Sequence, residues 1–283
     1  MAKFICKVCG QTFEAPTKPE KCPICGADAS NIEEVAEETA APKKKGINTN
    51  SNTYTIIYAS IVVVLVAFLL SFVSKVLEPQ SQANERIDKK KQILSSLNLK
   101  EVANEQVEEK YNTIVLADLV VNEKGEVIKE GTGKDKDGFT LSAKEISPAQ
   151  LPVYVCQIEE GEAGKKYVFP LRGKGLWGAI WGYIALDSDL RTVYGAYFSH
   201  EGETAGLGSR ITETEFQNQF IGKKIVKEGN PEIALSVVKN GKVQDATVEC
   251  DGITGATLTS DGVSQMLHTS LGNYKEYLKL GAE

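Results

Sequence analysis

Histidine is nearly absent from this chain, with only His200 and His268 among 283 residues. No catalytic acid or base is evident, and both histidines read as ordinary structural or surface side chains. Tryptophan is equally scarce, confined to Trp177 and Trp181. Basic residues do not predominate: 32 Lys and Arg face 38 Asp and Glu, for a net charge of −6. That balance argues against nucleic acid as a partner. Charge is missing altogether from residues 54–73, YTIIYASIVVVLVAFLLSFV. Twenty helical residues span about 30 Å, the thickness of a bilayer's hydrocarbon core. The run lies far from Met1 and lacks a small-residue cleavage site, which excludes a signal peptide. The expectation is a retained transmembrane helix over 54–75, with Tyr54 and Tyr58 at one interface.

What is present ahead of that helix is a cysteine pattern. Cys6, Cys9, Cys22 and Cys25 are spaced C-x2-C-x12-C-x2-C, with Gly10 and Gly26 closing the two pairs. Two such turns point four thiolates at one ion, zinc or a single iron. A segment of this length builds too small an apolar core to fold alone, so the metal supplies much of its folding energy. With Phe4 and Phe13 around the first pair and C-P-I-C-G at the second, residues 1–35 resemble the rubredoxin domain of rubrerythrins. The resemblance implies a one-electron iron centre held by four cysteines; Gln11 departs from the usual aromatic, and zinc stays open as the alternative. Thiolate sites are loaded under reducing conditions, which favours a cytoplasmic N-terminus. The charges flanking the helix, Lys43 to Lys45 before it and Lys75, Arg86 and Lys89 to Lys91 after it, do not decide the orientation. A flexible acidic linker is expected over 36–53, within and beyond the run EEVAEETAAP.

Residues 76–283 form the large domain. A helix is expected at 78–99, with apolar Ile87, Ile93, Leu94 and Leu97. Strand patterns follow at 114–121 and 126–128 around the turn Asn122 to Gly125, then at 151–158, 167–171, 179–186, 192–198 and 245–250. Helical patterns occupy 213–220 and 260–280. Strands and helices without a βαβ rhythm predict an α+β class.

Near the end stands D-G-I-T-G-A-T, Asp251 to Thr257, running into a helix with apolar Val263, Leu267, Leu271, Tyr274 and Leu278 on one face. Thr259 or Ser260 is the expected N-cap, which places Thr257 just ahead of a helix N-terminus suited to a phosphate. The stretch resembles the flavinylation signal D-G-x-[S/T]-G-A-T, whose last Thr receives FMN as a phosphoester from a flavin transferase. Carried over, the acceptor is Thr257, and Thr254, Gly255 and Ala256 form the turn. Two further clusters precede it: G-K-G-L-W-G at 173–178 and G-E-T-A-G-L-G at 202–208.

In this order, behind one apolar helix and the segment D-K-K-K-Q-I-L, these motifs resemble the C subunit of Na+-translocating NADH:quinone oxidoreductases, over residues 47–283. The resemblance implies a periplasmic FMN-bearing domain on the bacterial inner membrane that relays electrons to other subunits of the complex. Ala205 replaces the family's usual proline, and the fused four-cysteine knuckle is a larger departure. Leu176 and Trp177 are candidates to pack the isoalloxazine; Glu203, Thr204 and Gly206 are candidates for its polar edge, with His200 a weaker one. Cys156 and Cys250 either pair after export or stay buried and free. Two other functions remain open at this point: the G subunit of the Rnf ferredoxin:NAD+ oxidoreductase, and a membrane-tethered metal-binding adaptor without a redox role.

Overall fold

Alternating apolar and polar side chains at the N-terminus make β1 (Ala2–Cys6) and β2 (Thr12–Ala15), antiparallel with Phe4 opposite Phe13. β3 (Ile32–Val35) pairs with the other edge of β1, giving the order β2-β1-β3. The computed structural model describes residues 2–35, 49, 51–131, 135, 137–142 and 144–280. The expected linker, 36–53, lies for the most part outside the described residues. The chain divides into two compact units, Met1–Val76 and Leu77–Glu283.

α1 (Asn52–Ser96) is one continuous helix of 45 residues. Its apolar part exposes side chains such as Ile56, Val63, Phe68 and Leu70. Leaving so much apolar surface in water costs about 25 cal/mol per Å², so lipid is the solvent that this stretch fits. Among the described residues it is the one helix long and apolar enough to cross a membrane. Tyr54 and Tyr58 stack at its start, ring centroids 6.0 Å apart.

The second unit continues with α2 (Asn104–Ile114), β4 (Val115–Val121), β5 (Val127–Lys129), β6 (Leu151–Gln157), β7 (Lys165–Lys174), β8 (Ala179–Leu186) and β9 (Val193–His200). These six strands form one antiparallel sheet in the order β5-β4-β6-β7-β8-β9. Both faces are covered. Alternate residues of the strands, Val153, Phe169, Leu171 and Ile184, join a cluster completed by the C-terminal helix. The intervening residues, Tyr154, Cys156, Val168 and Tyr183, pack beneath Ile93, Leu94 and Leu97 of α1 and Val107 and Tyr111 of α2. The two-residue period of a strand sends neighbours to opposite faces, so a doubly covered sheet reads as a nearly unbroken apolar run.

After β9 come α3 (Thr214–Asn218), β10 (Ser236–Val238), β11 (Glu249–Asp251) and α4 (Thr257–Gly272). The strand expected from 245 begins only at Glu249. The carboxylate of Asp245 instead accepts the Thr247 N–H at 3.0 Å and its hydroxyl at 2.5 Å, closing a turn. β11 pairs in parallel with β10, a three-residue strand too short to show a period. The helix expected to reach 280 ends at Gly272, and Asn273 to Leu280 continue in turns with Lys279 at a positive φ. Tyr274 and Leu278 remain buried all the same. Cys156 and Cys250 are free and sit in different apolar clusters, so they do not pair.

Candidate functional sites

In the N-terminal unit, Gly10 and Gly26 adopt φ of +69° and +74° and donate their N–H groups to the carbonyls of Cys6 and Cys22. These tight turns bring the cysteine sulfurs together: Cys6 to Cys25 at 3.7 Å and Cys9 to Cys22 at 3.9 Å. All four lie within 4.8 Å of one another. A tetrahedral ion with sulfur at about 2.3 Å requires sulfur–sulfur edges of about 3.8 Å, whereas a disulfide requires about 2.05 Å. The spacing fits a metal. Backbone N–H groups of Cys9 and then Val8 point at the Cys6 sulfur and, against its burial, hold that thiol down to about 7. Cys6 and Cys22 are buried, Cys9 is half-buried and Cys25 is exposed.

The second site is built where β11 meets α4. The Asp251 carboxylate accepts the Gly241 N–H at 2.7 Å, and Gly252 donates to the Val238 carbonyl at 2.7 Å. A Cβ on Gly252 would lie 2.6 Å from that carbonyl oxygen, so only glycine fits. Thr254 accepts a hydrogen bond from the Asn240 side chain at 2.9 Å. Gly255, at φ +80°, turns the chain back into the helix. The N-cap is the buried Ala256 rather than Thr259 or Ser260, so Thr257 is the first residue of α4. Ser260 instead uses its hydroxyl to accept from Ile253 N–H and donate to the Ala256 carbonyl. Thr259 turns inward as well.

Thr257 is exposed, and among the described residues nothing bonds its hydroxyl. It borders a cavity of about 190 Å³ lined also by Lys239, Asn240, Thr254, Gly255 and Asp261. N–H groups in the first turn of α4 have no intrahelical acceptor and favour an anion there.

Glu203 ties the three glycine-rich stretches together. It is only 6% exposed. One carboxylate oxygen accepts the Trp177 N–H at 2.8 Å, and the other accepts the Thr259 hydroxyl at 2.5 Å. Its own N–H is donated to Nδ1 of His200 at 3.2 Å. Burial alone would raise its pKa, but the Thr259 hydroxyl and the N–H groups of Trp177 and Gly178 outweigh it and hold the carboxyl below its ordinary value. Gly175 and Gly208 leave room for this carboxylate: a Cβ on either would come within 2.5 Å of it. The sequence offered Glu203 as a candidate for the flavin's polar edge; its inward position, with both carboxylate oxygens already engaged, was not legible there.

Around this buried knot the surface is apolar. Trp177 is 69% exposed, and Leu176, Leu207 and Leu258 are also largely uncovered. Leu207 approaches Gly255, its Cδ2 3.0 Å from where a Cβ would stand. Thr204 and Gly206 are exposed on the same loop, and Gly206 donates to the Ser209 hydroxyl. Exposed aromatic and aliphatic side chains on loops tied to the helix that starts at a free hydroxyl suit a planar, phosphorylated ligand.

Comparisons with known proteins agree with this geometry. Residues 175–272 match the FMN-binding domain family, and residues 4–33 match the rubredoxin-like domain of rubrerythrin. The C subunit of the Na(+)-translocating NADH-quinone reductase of Haemophilus ducreyi is 31% identical over 220 residues, which cover 71% of this chain and 84% of the relative. Its counterpart from Pseudomonas aeruginosa is 29% identical, covering 80% of this chain and 93% of the relative. The solved C subunit of the Parabacteroides distasonis reductase superposes with a TM-score of 0.65 at 42% identity, covering 71% of this chain and 96% of that one. The chain therefore belongs to the family of Na(+)-translocating NADH-quinone reductase C subunits, and it carries a rubredoxin-like segment at its front.

Proposed function

We propose that this chain is the electron-carrying C subunit of a membrane-bound Na+-translocating NADH:quinone reductase, holding FMN through a phosphoester at Thr257. The observation that carries the reading is the solvent-facing Thr257 hydroxyl at the start of α4, a helix tied through Thr259 and Glu203 to the loop that exposes Leu176 and Trp177. A flavin transferase delivers an activated flavin nucleotide. The new bond joins Thr257 Oγ1 to phosphorus, while the hydroxyl proton and the nucleotide's leaving group depart. When bound, FMN supplies one-electron chemistry; the protein's part is placement. The first-turn N–H groups of α4 would hold the phosphate, and the open cavity at Thr254 and Lys239 would leave it room. Trp177 and Leu176 offer the ring a flat apolar wall whose backbone is fixed by Glu203, and Thr204 and Gly206 present the polar edge.

In the same reading, residues 1–35 hold iron on Cys6, Cys9, Cys22 and Cys25 in the cytoplasm. Zinc is the alternative, and the sulfur spacing suits either ion. Residues 36–53 link this domain to a single transmembrane segment at 54–75. Residues 76–283 lie in the periplasm and dock on other subunits of the complex. The relatives' names support this reading over the Rnf G subunit, and the two matched domains support it over a non-redox adaptor.

Intact-mass measurement and in-gel fluorescence test the assignment, with wild type and Thr257→Ala each co-expressed with a flavin transferase. The wild type is expected to gain the mass of an FMN adduct and fluoresce, while the variant does neither. A variant that still carries the adduct, or a native protein without it, overturns the reading.

A further inference from the structure

A cavity of about 640 Å³ lies within the second unit, between the stretch of α1 from Gln82 to Gln92 and the sheet. Three cationic side chains border it: Arg86 and Lys89 from α1, and Arg172 from β7. Arg86 is paired at 3.3 Å with Asp135, a carboxylate that Lys90 shares at 2.5 Å. Lys89 donates to the carbonyl oxygens of Phe139 and Leu141 and meets no carboxylate among the described residues. Lys89, Arg86 and Lys90 instead crowd over the Phe139 ring, at 4.6, 5.5 and 5.6 Å from its centroid. The face of an aromatic ring stands in only weakly for an anion. Burial first, and then the charge of Arg172, push the Lys89 ammonium down to about 8, against the opposing pull of Asp118 and Asp135. Arg172 is exposed, and its guanidinium bonds nothing among the described residues.

The charges around this space do not balance. Lys90 also pairs with Glu108 at 2.6 Å, and the exposed Glu85 borders the cavity. Arg86, Lys89, Lys90 and Arg172 thus face Asp135, Glu108 and Glu85, which leaves one positive charge over. Asp118 does not supply the difference: burial drives it toward its neutral form, and one of its oxygens already accepts the N–H groups of Asp137 and Phe139. A deficit of one charge suits a single carboxylate better than a doubly charged phosphate, and the planar fork of an arginine takes a carboxylate with two parallel bonds. Beside that fork the wall is flat and apolar. Trp181 stands opposite Arg172 in the β7–β8 register and is held through its indole N–H by Gln92 at 3.2 Å, with Pro170 and Tyr154 on the same lining. A few convergent polar groups on an aromatic wall, at this volume, describe a small-molecule site. We propose that this cavity binds a small aromatic carboxylate, its carboxyl group on Lys89 and Arg172 and its ring against Trp181 and Pro170. The proposal does not depend on flavin at Thr257.

Fluorine NMR tests it, with the full chain in an uncharged detergent at constant ionic strength and the detergent alone as the blank. The probe is para-(trifluoromethyl)benzoate, and saturable broadening of its signal above the blank is expected. The neutral para-(trifluoromethyl)benzamide should bind at least about ten-fold more weakly, the para-(trifluoromethyl)phenyl phosphate should bind less tightly than the benzoate, and acetate at the same concentration should not displace the probe. Arg172→Gln is expected to weaken the benzoate at least about ten-fold, while Glu85→Gln, which removes an opposing charge, strengthens it about two-fold. Both positions are exposed, so neither variant burdens the fold. Tighter binding of the phosphate overturns the carboxylate assignment, and displacement by acetate overturns the aromatic one. The absence of saturable broadening, or broadening indifferent to Arg172→Gln, overturns the site.

Discussion

In the N-terminal unit the buried hydrophobic positions are Phe4, Ile32 and two of the four thiols, Cys6 and Cys22. In the second unit both faces of a six-stranded sheet are covered, while Thr257, Trp177 and Leu176 stay outside that core. The two regions therefore relate ligand to fold in opposite ways. On the proposed reading two of the knuckle's four ligands are also its interior, so loading the ion and folding would be one event. The large domain has an apolar core of its own, and on the proposed reading its exposed Thr257 hydroxyl is modified after folding. Losing the group is then expected to cost the first region its structure and the second only its chemistry.

The contrast can be broken most forcefully at the cysteines. Cys22→Ser, or removal of the metal by chelation, is expected to unfold residues 2–35, since structural metal supplies on the order of 10 kcal/mol to such domains. Limited proteolysis and amide NMR should show this loss while the melting of residues 77–280 does not move. Acidification should do the same. The sulfurs bind an ion as thiolates, so as pH falls protons compete for them, the ion is displaced and its folding contribution is lost.

Glu203→Ala comes next. It leaves the Trp177 N–H and the Thr259 hydroxyl without their shared acceptor, at a cost of about 3 kcal/mol, read as a lower denaturation midpoint. Flavin attachment should fall with it, because the loop carrying Trp177 loses its anchor. The Glu203 carboxyl titrates below its ordinary value in the folded state. Its stabilisation is therefore complete above the unfolded glutamate pKa and lost as pH falls through the lowered one. Gly255→Ala should cost about 1–2 kcal/mol through its positive φ. Thr257→Ala sits at the small end: an exposed substitution changes stability by no more than about 0.5 kcal/mol while abolishing attachment. A large drop in melting temperature for this variant would refute the picture of a preformed site.

The sequence was most informative where chemistry needs a fixed spacing. C-x2-C repeated marked the four cysteines whose sulfurs come within 4.8 Å of one another, and the motif at 251–257 marked a turn into a helix. Apolar periodicity also located most of the sheet. The N-cap was misread because two hydroxyl residues, Thr259 and Ser260, resemble caps. Both point inward, Thr259 to a glutamate 56 positions away and Ser260 to the turn before the helix. A partner that distant leaves no local signal. The same holds for β10, whose three residues gain strand geometry only by pairing with β11, and for Glu203, whose burial depends on the space that Gly175 and Gly208 leave.

One more consequence follows from Cys156 and Cys250. Both thiols are enclosed in apolar surroundings that push them up, Cys250 to about 12, and they lie in separate clusters. As thiols they are chemically quiet. A domain built this way reaches its final state without help from oxidative folding machinery, and any sulfur bridge between the two would record a misassembled chain.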